Sequence, residues 1–265
     1  MVKALMGKTC VGAALLAVAV TLAGCGWFGG KDDNAKYVEQ PVDVLYNRAL
    51  DDLGAQEYKS AAKEFEEVDR QHPYSVWATK AQIMAAFTYY QSNKYDDAQI
   101  ALDRFIQLHP GHKDIPYAYY LKALCYYEQI SDVRRDQAIT QKALDSLADV
   151  VKRFPETPYA RDARLKVELT IDHLAGKEMD IGRYYQKQEQ YIGAINRYRV
   201  VIERYQTTTH VPEALHRLVE CYLALGVKSE AKEAAAVLGH NFPGSDWYAD
   251  SYFLMTGEDY RFDEK

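Results

Sequence analysis

Apolar residues recur at helical spacing from Pro41 onward, and short polar breaks separate the helical segments. There is no convincing two-residue alternation of the kind that predicts strands. The eight prolines stand at segment ends. Four are placed to open helices in the first turn: Pro41, Pro116, Pro158 and Pro212. Four follow apolar helical stretches and close them: Pro73, Pro110, Pro155 and Pro243. The pattern predicts an all-α fold.

The helical segments repeat in one register, which the closing prolines define. An alanine stands twelve residues before the proline, and further apolar residues stand eight and five before it. The copies are Ala61, Phe65, Val68; Ala98, Leu102, Phe105; Ala143, Leu147, Val150; Ala194, Tyr198, Val201, with Gln206 in the proline's place; and Ala231, Ala235, Leu238. Successive units span 37, 45, 51 and 37 residues. Since the tetratricopeptide unit has about 34 residues, we expect a superhelical solenoid of about five tetratricopeptide-like helix pairs.

Two copies depart from the regular length by insertion. The third gains a charged loop that includes residues 132–137, and in the fourth the pattern predicts a long helix from about Pro158 to Ala175. That helix is expected to break at Gly176 and to resume toward Tyr184 and Tyr185. In repeat proteins, insertions often form the surface that is specific for a partner.

The first 24 residues have the composition of a secretory signal peptide. Lys3 and Lys8 precede an apolar run of 13 residues, whereas a membrane-spanning helix needs about 20. The run ends in Leu22-Ala23-Gly24-Cys25, which resembles the lipobox of bacterial lipoproteins. That resemblance implies cleavage between Gly24 and Cys25, and a diacylglycerol and an N-acyl chain such as palmitate on Cys25. A plain signal peptide with a chance cysteine is the alternative. Residues 25–40 are expected to form a flexible tether.

Charge and cysteine usage narrow the possible partners. Removal of Lys3 and Lys8 with the signal leaves 30 basic residues against 38 acidic ones, a net charge of about −8. This balance argues against a nucleic-acid partner and against a polybasic membrane patch. Apart from Cys10 and Cys25, only Cys125 and Cys221 remain to form a disulfide. Two buried free thiols are favoured, because both lie in apolar helical stretches.

Motifs for catalysis are absent from the sequence, which predicts a protein that is not an enzyme. Neither a zinc-protease helix, nor a nucleophile elbow, nor a phosphate-binding loop is present. His109 and His112 are close enough to consider a metal, but His109 takes the position that Phe154 and Phe242 occupy in other copies. A packing role is therefore favoured. We assign no metal, and no cofactor other than the lipid on Cys25.

Tyrosine is unusually frequent, with 22 residues and several adjacent pairs. Neighbours on a helix point about 100° apart, so both members of a pair cannot face one helix seam. Some of the rings are therefore expected to line a surface, and packing against small alanines is expected to account for about half of them. The candidates for a peptide-binding groove are Tyr46, Tyr89, Tyr90, Tyr119 and Tyr120.

From the lipobox onward the chain resembles the BamD family, the tetratricopeptide lipoproteins of the outer-membrane β-barrel assembly machinery. The most specific matches are residues 101–110 (ALDRFIQLHP), residues 116–124 (PYAYYLKAL), and the junction from Phe154-Pro155 to 158–163 (PYARDA). The resemblance implies a lipid-anchored protein on the periplasmic side of the outer membrane. Gly26 after the lipidated cysteine is consistent with that destination.

The resemblance also implies a division of labour along the chain. Repeats one and two (41–110) correspond to the half that recognises unfolded outer-membrane protein precursors by their C-terminal segments, and 111–157 is repeat three. Repeats four and five (158–245) correspond to the half that binds the barrel-forming subunit, and 246–265 is a C-terminal tail. Accessory lipoproteins are further expected partners. By resemblance alone, Arg197, Tyr184 and Tyr185 are candidate contacts to the barrel subunit; a surface ion pair is the alternative for Arg197.

Other envelope lipoproteins with tetratricopeptide repeats are the alternative assignment. A pilotin-like factor for secretins would lack junctions of the type seen at residues 103–106 (DRFI). A scaffold that couples cell division to peptidoglycan synthesis usually carries a coiled coil, and no sustained heptad is present. An enzyme would need a set of converging polar residues that the sequence does not reveal.

Overall fold

Eleven α-helices follow one another through residues 39–258, the part of the chain that the computed structural model describes. They are α1 (Val42–Gly54), α2 (Tyr58–Gln71), α3 (Val76–Gln91), α4 (Tyr95–Leu108), α5 (Ile115–Tyr127), α6 (Ala138–Arg153), α7 (Pro158–Lys187), α8 (Tyr191–Arg204), α9 (Val211–Ala224), α10 (Lys228–Asn241) and α11 (Asp246–Thr256). No strand occurs within this range, as the all-α prediction requires. The predicted signal peptide, Cys25, nearly all of the predicted tether and residues 259–265 lie outside the described residues.

Consecutive helices pack as five pairs, α1/α2 to α9/α10, and each pair packs against the next. First helices also touch the first helix of the following unit, as α1 touches α3 and α3 touches α5. This arrangement confirms the predicted solenoid of about five tetratricopeptide-like pairs. It also explains the stability of a chain whose single helix pairs have no core of their own, since each apolar face is buried only by its neighbours.

The repeated positions of the sequence form the seams between helices. The five alanines of the first position, Ala61, Ala98, Ala143, Ala194 and Ala231, are completely buried. At the second position Phe65, Leu102, Leu147 and Tyr198 are completely buried, and all five residues of the third position are as well. The second helices also end alike, because the residue after each has φ between −134° and −123°. The sequence register is therefore a packing register.

Helix α7 is continuous over 30 residues, so the predicted break at Gly176 is wrong. Gly176 is buried, and a Cβ there would lie 3.3 Å from Nε2 of His210 and 3.6 Å from Cγ1 of Val133. The glycine thus allows the 128–137 connection and the residue before α9 to approach the helix. The charged insertion is a non-helical loop as predicted, and the Lys177 ammonium donates to the Arg134 carbonyl at 2.9 Å. A helical glycine costs about 1 kcal/mol, which these contacts offset.

The segment predicted as a C-terminal tail contains α11, which packs on α9 and α10. The Ser245 hydroxyl caps this helix by accepting a hydrogen bond from the Tyr248 amide at 3.2 Å. The buried His216 side chain of α9 lies 2.8 Å from the Ser251 hydroxyl and packs its ring on Trp247. Helix α11 therefore stands where the first helix of a sixth unit would stand.

Both remaining cysteines are free and buried, as predicted. Cys125 packs in the cluster around α3–α5 and Cys221 in the cluster around α7–α10. Burial raises the pKa of each thiol to about 12, so both stay protonated at neutral pH. Within residues 39–258, no helix combines the length and the apolar character that crossing a bilayer requires.

Gly182 is a position where the fold depends on the absence of a side chain. A Cβ there would overlap the ring of Tyr198, which is completely buried. We expect Gly182→Ala to lower the free energy of unfolding by about 1–3 kcal/mol, measured by urea denaturation. Gly54→Ala is the matched control, because no atom lies within 4 Å of its added methyl group. Equal stability of the two variants would contradict this account of the α7–α8 contact.

Candidate functional site

One of the five predicted groove tyrosines does not line a surface. Tyr46 is only 9% exposed, and its ring packs 5.5 Å from Phe65 and 4.8 Å from Trp77, measured between centroids. The prediction that Tyr46 lines a groove is therefore wrong. Its ring fills space beside the small alanines of the first two units, which is the packing role that the sequence left open for part of the tyrosines.

Three other candidates are half-buried and tie neighbouring helices together through their hydroxyls. Tyr89 donates to Glu66 on α2 at 2.5 Å, Tyr90 donates to Glu128 at 3.3 Å, and Tyr120 donates to Asp162 on α7. Burial and the adjacent carboxylate raise the pKa of each of these tyrosines well above its usual value. The hydroxyls are thus engaged within the protein, and the ring faces are the parts left for a ligand.

Tyr119, the fifth candidate, is half-buried on α5. Its ring lies 5.4 Å from that of Phe154, and the Arg153 guanidinium sits 5.2 Å from its centroid. Tyr119 therefore points toward the α6–α7 junction, whereas Tyr89 points toward α2. The structure does not bring these two rings to one place.

An open cavity of about 810 Å³ lies between the first two units, where Tyr89 forms part of the wall. Its other lining residues come from the start of α2 and the turn before α4, and include Tyr58, Lys59, Lys63, Glu66 and Lys94. Two aromatic rings and three ammonium groups thus border one concave surface. The three lysines were not among the site residues predicted from the sequence. The available signal was their position, since all three lie at or near the beginning of a second helix.

The candidate contacts of the C-terminal half lie on α7 and α8. Arg197 pairs with Glu178 at 3.1 Å, yet 41% of its side chain remains exposed. Tyr184 is 63% exposed, but Tyr185 covers Gly193 in the seam between the two helices. Arg197 and Tyr184 are therefore accessible to a partner, whereas Tyr185 has mainly a packing role.

A charged network joins α7 to α9 in the same half. Arg183 donates to both carboxylate oxygens of Glu213 at 3.0 Å. Glu220 accepts from Arg217 at 2.8 Å and from Gln186 at 2.9 Å, and it lies 3.5 Å from His216. Burial opposes ionisation of Glu220, but the hydrogen bonds outweigh it and lower the pKa of this carboxyl to about 2.

The two histidines considered as metal ligands make packing contacts. The rings of His109 and His112 lie 5.1 Å and 5.6 Å from Phe105, and His109 hydrogen bonds to Gln82 at 2.9 Å. These contacts agree with the packing role favoured from the sequence. Between residues 39 and 258, no group of three or more His, Cys, Asp or Glu side chains is arranged to hold a metal ion.

Comparison with known proteins decides the family. A sequence family described as YfiO, outer membrane lipoprotein, matches residues 38–238. The outer membrane protein assembly factor BamD of Caulobacter vibrioides is 49% identical over 256 residues, which cover 97% of this chain and 84% of that protein. This chain belongs to the BamD family. The BamD proteins of Rickettsia prowazekii and Neisseria meningitidis serogroup A are 47% and 32% identical, over 91% and 89% of this chain and 95% and 93% of theirs.

Among solved structures, the TPR2AB domain of yeast Sti1 is 12% identical, with a TM-score of 0.43 over 80% of this chain and 83% of that one. Membership of the BamD family makes the protein an outer-membrane protein assembly factor. It also decides against the pilotin-like and cell-division alternatives that the sequence left open. The family match ends at residue 238, so α11 of this BamD-family protein lies beyond it.

The Glu220 network gives this BamD-family protein a defined acid sensitivity. The folded-state pKa of about 2 is below the ordinary value of 4.5, so the carboxylate stabilises the fold above about pH 4.5, and this contribution is lost as the pH falls toward 2. Between these limits we expect the wild type to lose about 1–2 kcal/mol more stability than Glu220→Gln, a figure discounted for the exposed part of the group. Urea denaturation across the range measures it.

Glu203→Gln is the control for that comparison. Glu203 pairs with Arg199 on an exposed helix face, where 58% of its side chain is accessible. The free energy of unfolding of Glu203→Gln should therefore change with pH in the same way as that of the wild type. Identical acid profiles for the wild type and Glu220→Gln would show that the network contributes nothing to the fold.

Proposed function

We propose that this protein is a non-enzymatic scaffold, anchored by acyl chains on Cys25 to the periplasmic face of the outer membrane. Its first two units bind the C-terminal segments of unfolded outer-membrane protein precursors. Its fourth and fifth units bind the barrel-forming subunit, and accessory lipoproteins complete the assembly. Membership of the family of outer membrane protein assembly factors supports the general role. The cavity between the first two units carries the specific proposal.

The chemistry of the cavity suits the end of a polypeptide chain. The wall of the cavity carries three lysines and two acidic residues, which give it a net charge of +1: Lys59, Lys63, Lys94, Glu57 and Glu66. A free terminal carboxylate is attracted by such a balance, and a C-terminal aromatic ring can pack on Tyr58 and Tyr89. The open form of the cavity leaves room for the chain that precedes the terminal residue.

The face formed by α7 and α8 suits a folded protein partner. Tyr184 presents an accessible aromatic ring, and Arg197 presents a guanidinium whose ion pair with Glu178 leaves part of it exposed. Tyr and Arg are the residue types that most often dominate protein–protein binding energy. This face is held rigid by the continuous helix α7 and by the ion pair between Arg183 and Glu213. A rigid face loses less entropy when a partner binds.

The resemblance of Leu22-Ala23-Gly24-Cys25 to a lipobox supports the lipid anchor. Two or more acyl chains give lasting attachment, whereas one chain gives only marginal binding. The family description as an outer membrane lipoprotein supports the same arrangement.

A peptide-binding measurement tests the substrate half. A fluorescent peptide that ends in a free C-terminal phenylalanine should bind the wild type more tightly than its C-terminal amide. Lys63→Gln should weaken binding of the free acid by roughly threefold to tenfold, which is about 0.7–1.4 kcal/mol and corresponds to the net value of one ordinary hydrogen bond, and should leave the amide unaffected. Lys113→Gln, an exposed lysine outside the cavity, is the control. Equal affinity for acid and amide would exclude the carboxylate role of the cavity.

Co-purification with the barrel-forming subunit tests the other half. We expect Arg197→Glu to weaken the interaction by roughly tenfold or more, because like charges across an interface cost several kcal/mol. Arg199→Glu, two residues along the same helix in an exposed pair with Glu203, is the matched control. Thermal melting of both variants checks that the fold is retained. Undiminished recovery of the subunit by folded Arg197→Glu would rule out this contact.

A further inference from the structure

Three turns of the solenoid share one geometry but differ in their residues. They precede α3, α7 and α11, and each is capped by a hydroxyl residue: Ser75, Thr157 or Ser245. The caps have φ between −86° and −83° and ψ between 144° and 154°. In each, the hydroxyl accepts a hydrogen bond from the backbone amide three residues later, at 3.1–3.2 Å. The backbone alone therefore does not require any particular neighbours of the cap.

The first of these turns carries two strongly exposed apolar side chains. Tyr74 is fully exposed at 102%, and Val76 is 75% exposed. The corresponding pairs in the other two turns are Glu156 with Pro158, and Gly244 with Asp246. The shared geometry accepts Glu or Gly at the first position and Pro or Asp at the second, so the fold requires neither the tyrosine nor the valine.

The first turn lies at the end of the solenoid where the chain enters α1. Trp77, at the second position of α3, packs its ring 4.8 Å from that of Tyr46 in the second turn of α1. Val42, the first residue of α1, packs against the same cluster as Trp77. Only sixteen residues, Cys25 to Gln40, link the proposed lipid to this point, and they reach at most roughly 58 Å.

We propose that the turn at Tyr74 and Val76 is a second membrane contact, which inserts into the headgroup region of the phospholipid surface to which the lipid holds the chain. This inference rests on the proposed anchor at Cys25. Tyrosine suits that depth, since its ring is apolar and its hydroxyl reaches the wet headgroups. The ammonium of Lys80 lies 5.1 Å from the Trp77 ring, one turn further along α3, where it can meet lipid phosphates.

A second contact would orient the scaffold as well as hold it. An acyl tether alone leaves a domain free to rotate, whereas two attachment points define which edge faces the bilayer. The edge chosen here is the one at which α1 begins. The cavity lies at the opposite end of α1 and α2, around Gln56 and Tyr58, so it would face away from the membrane toward arriving precursors.

The three tryptophans of the chain, Trp27, Trp77 and Trp247, allow a direct test. Trp77 and Trp247 occupy equivalent positions, two residues after their caps, and both are half-buried. Two variants are made, and both carry Trp27→Phe. The first also carries Trp247→Phe, so that Trp77 is its only tryptophan. The second also carries Trp77→Phe, so that Trp247 is its only tryptophan. Each protein is attached to phosphatidylcholine vesicles whose acyl chains carry bromine, which quenches nearby tryptophan.

We expect the quenching of Trp77 to be at least about threefold that of Trp247, because an inserted turn lies roughly 5–10 Å into the headgroup and acyl boundary. Tyr74→Glu combined with Val76→Asp, residues that the equivalent turns carry, should reduce the quenching of Trp77 to that of Trp247. Unchanged thermal melting would show that the fold survives. Equal quenching of the two reporters on attached protein overturns the proposal.

The attachment step separates this inference from the proposed anchor. Protein purified with its lipid tests the anchor and the membrane contact together. The Cys25→Ala variant, which cannot carry the lipid, should fail to attach to the vesicles. Unlipidated protein that begins at Cys25 can instead be coupled there to a maleimide lipid, because Cys125 and Cys221 are buried. One result would separate the two proposals: the coupled protein attaches to the vesicles with Trp77 quenched, but the lipidated protein does not attach. The proposed anchor is then wrong and the membrane contact stands. In a further measurement the barrel-forming subunit is added to the attached protein. Loss of Trp77 quenching, with Tyr74 then buried against protein, would identify a protein partner for this turn and overturn the membrane contact.

Discussion

The rest of the structure depends on burial of each second helix between two first helices. A small alanine lets the helices approach, and the residues four and seven positions later fill the seam, as Phe65 and Val68 do after Ala61. Full burial of such a side chain contributes about 1.5–3 kcal/mol, and no single pair can bury both of its faces. The stability of every unit therefore depends on its neighbours. Positions outside the seams are not committed to packing between helices, and the lysines around the cavity and the partly exposed Arg197 are among them.

The regular stacking is interrupted at α7, which is about twice as long as the other first helices. Its 30 residues extend about 45 Å, with the first half packed on α6 and the second half on α8. Gly176 marks the middle of the helix, where the 128–137 loop and His210 both approach it. Because α7 is one continuous helix, it holds the units before it and the units after it at a fixed spacing. On the proposed function, which assigns a different partner to each half, this helix fixes the distance between the two bound partners.

The helix pairs could be predicted because their determinants are local or periodic. Prolines mark the ends, and the spacing of Ala61, Phe65 and Val68 recurs in every unit. The break at Gly176 was predicted from local propensity alone, and contacts from Val133 and His210, distant in sequence, overrode it. The burial of Tyr46 escaped prediction for the same reason, because Trp77 and Phe65 cover it from other helices. The predicted register was defined on second helices, and α11 is a first helix that no second helix follows within the described residues, so the register did not reveal its packing through His216 and Ser251.

The hydrogen bond between Tyr89 and Glu66 bears on the ligand recognition proposed for the first two units. Tyr89 donates its hydroxyl to Glu66, and Glu66 also lines the cavity. The bond holds the ring in one orientation, so a ligand need not order it and binding costs less entropy. The bond leaves the negative charge of Glu66 in place, because the phenol that donates it is neutral. With Glu57 and Glu66 still present, the wall has too little positive charge to favour a polyanion over a single carboxylate. On the proposed function, specificity then comes from one terminal charge together with an aromatic side chain.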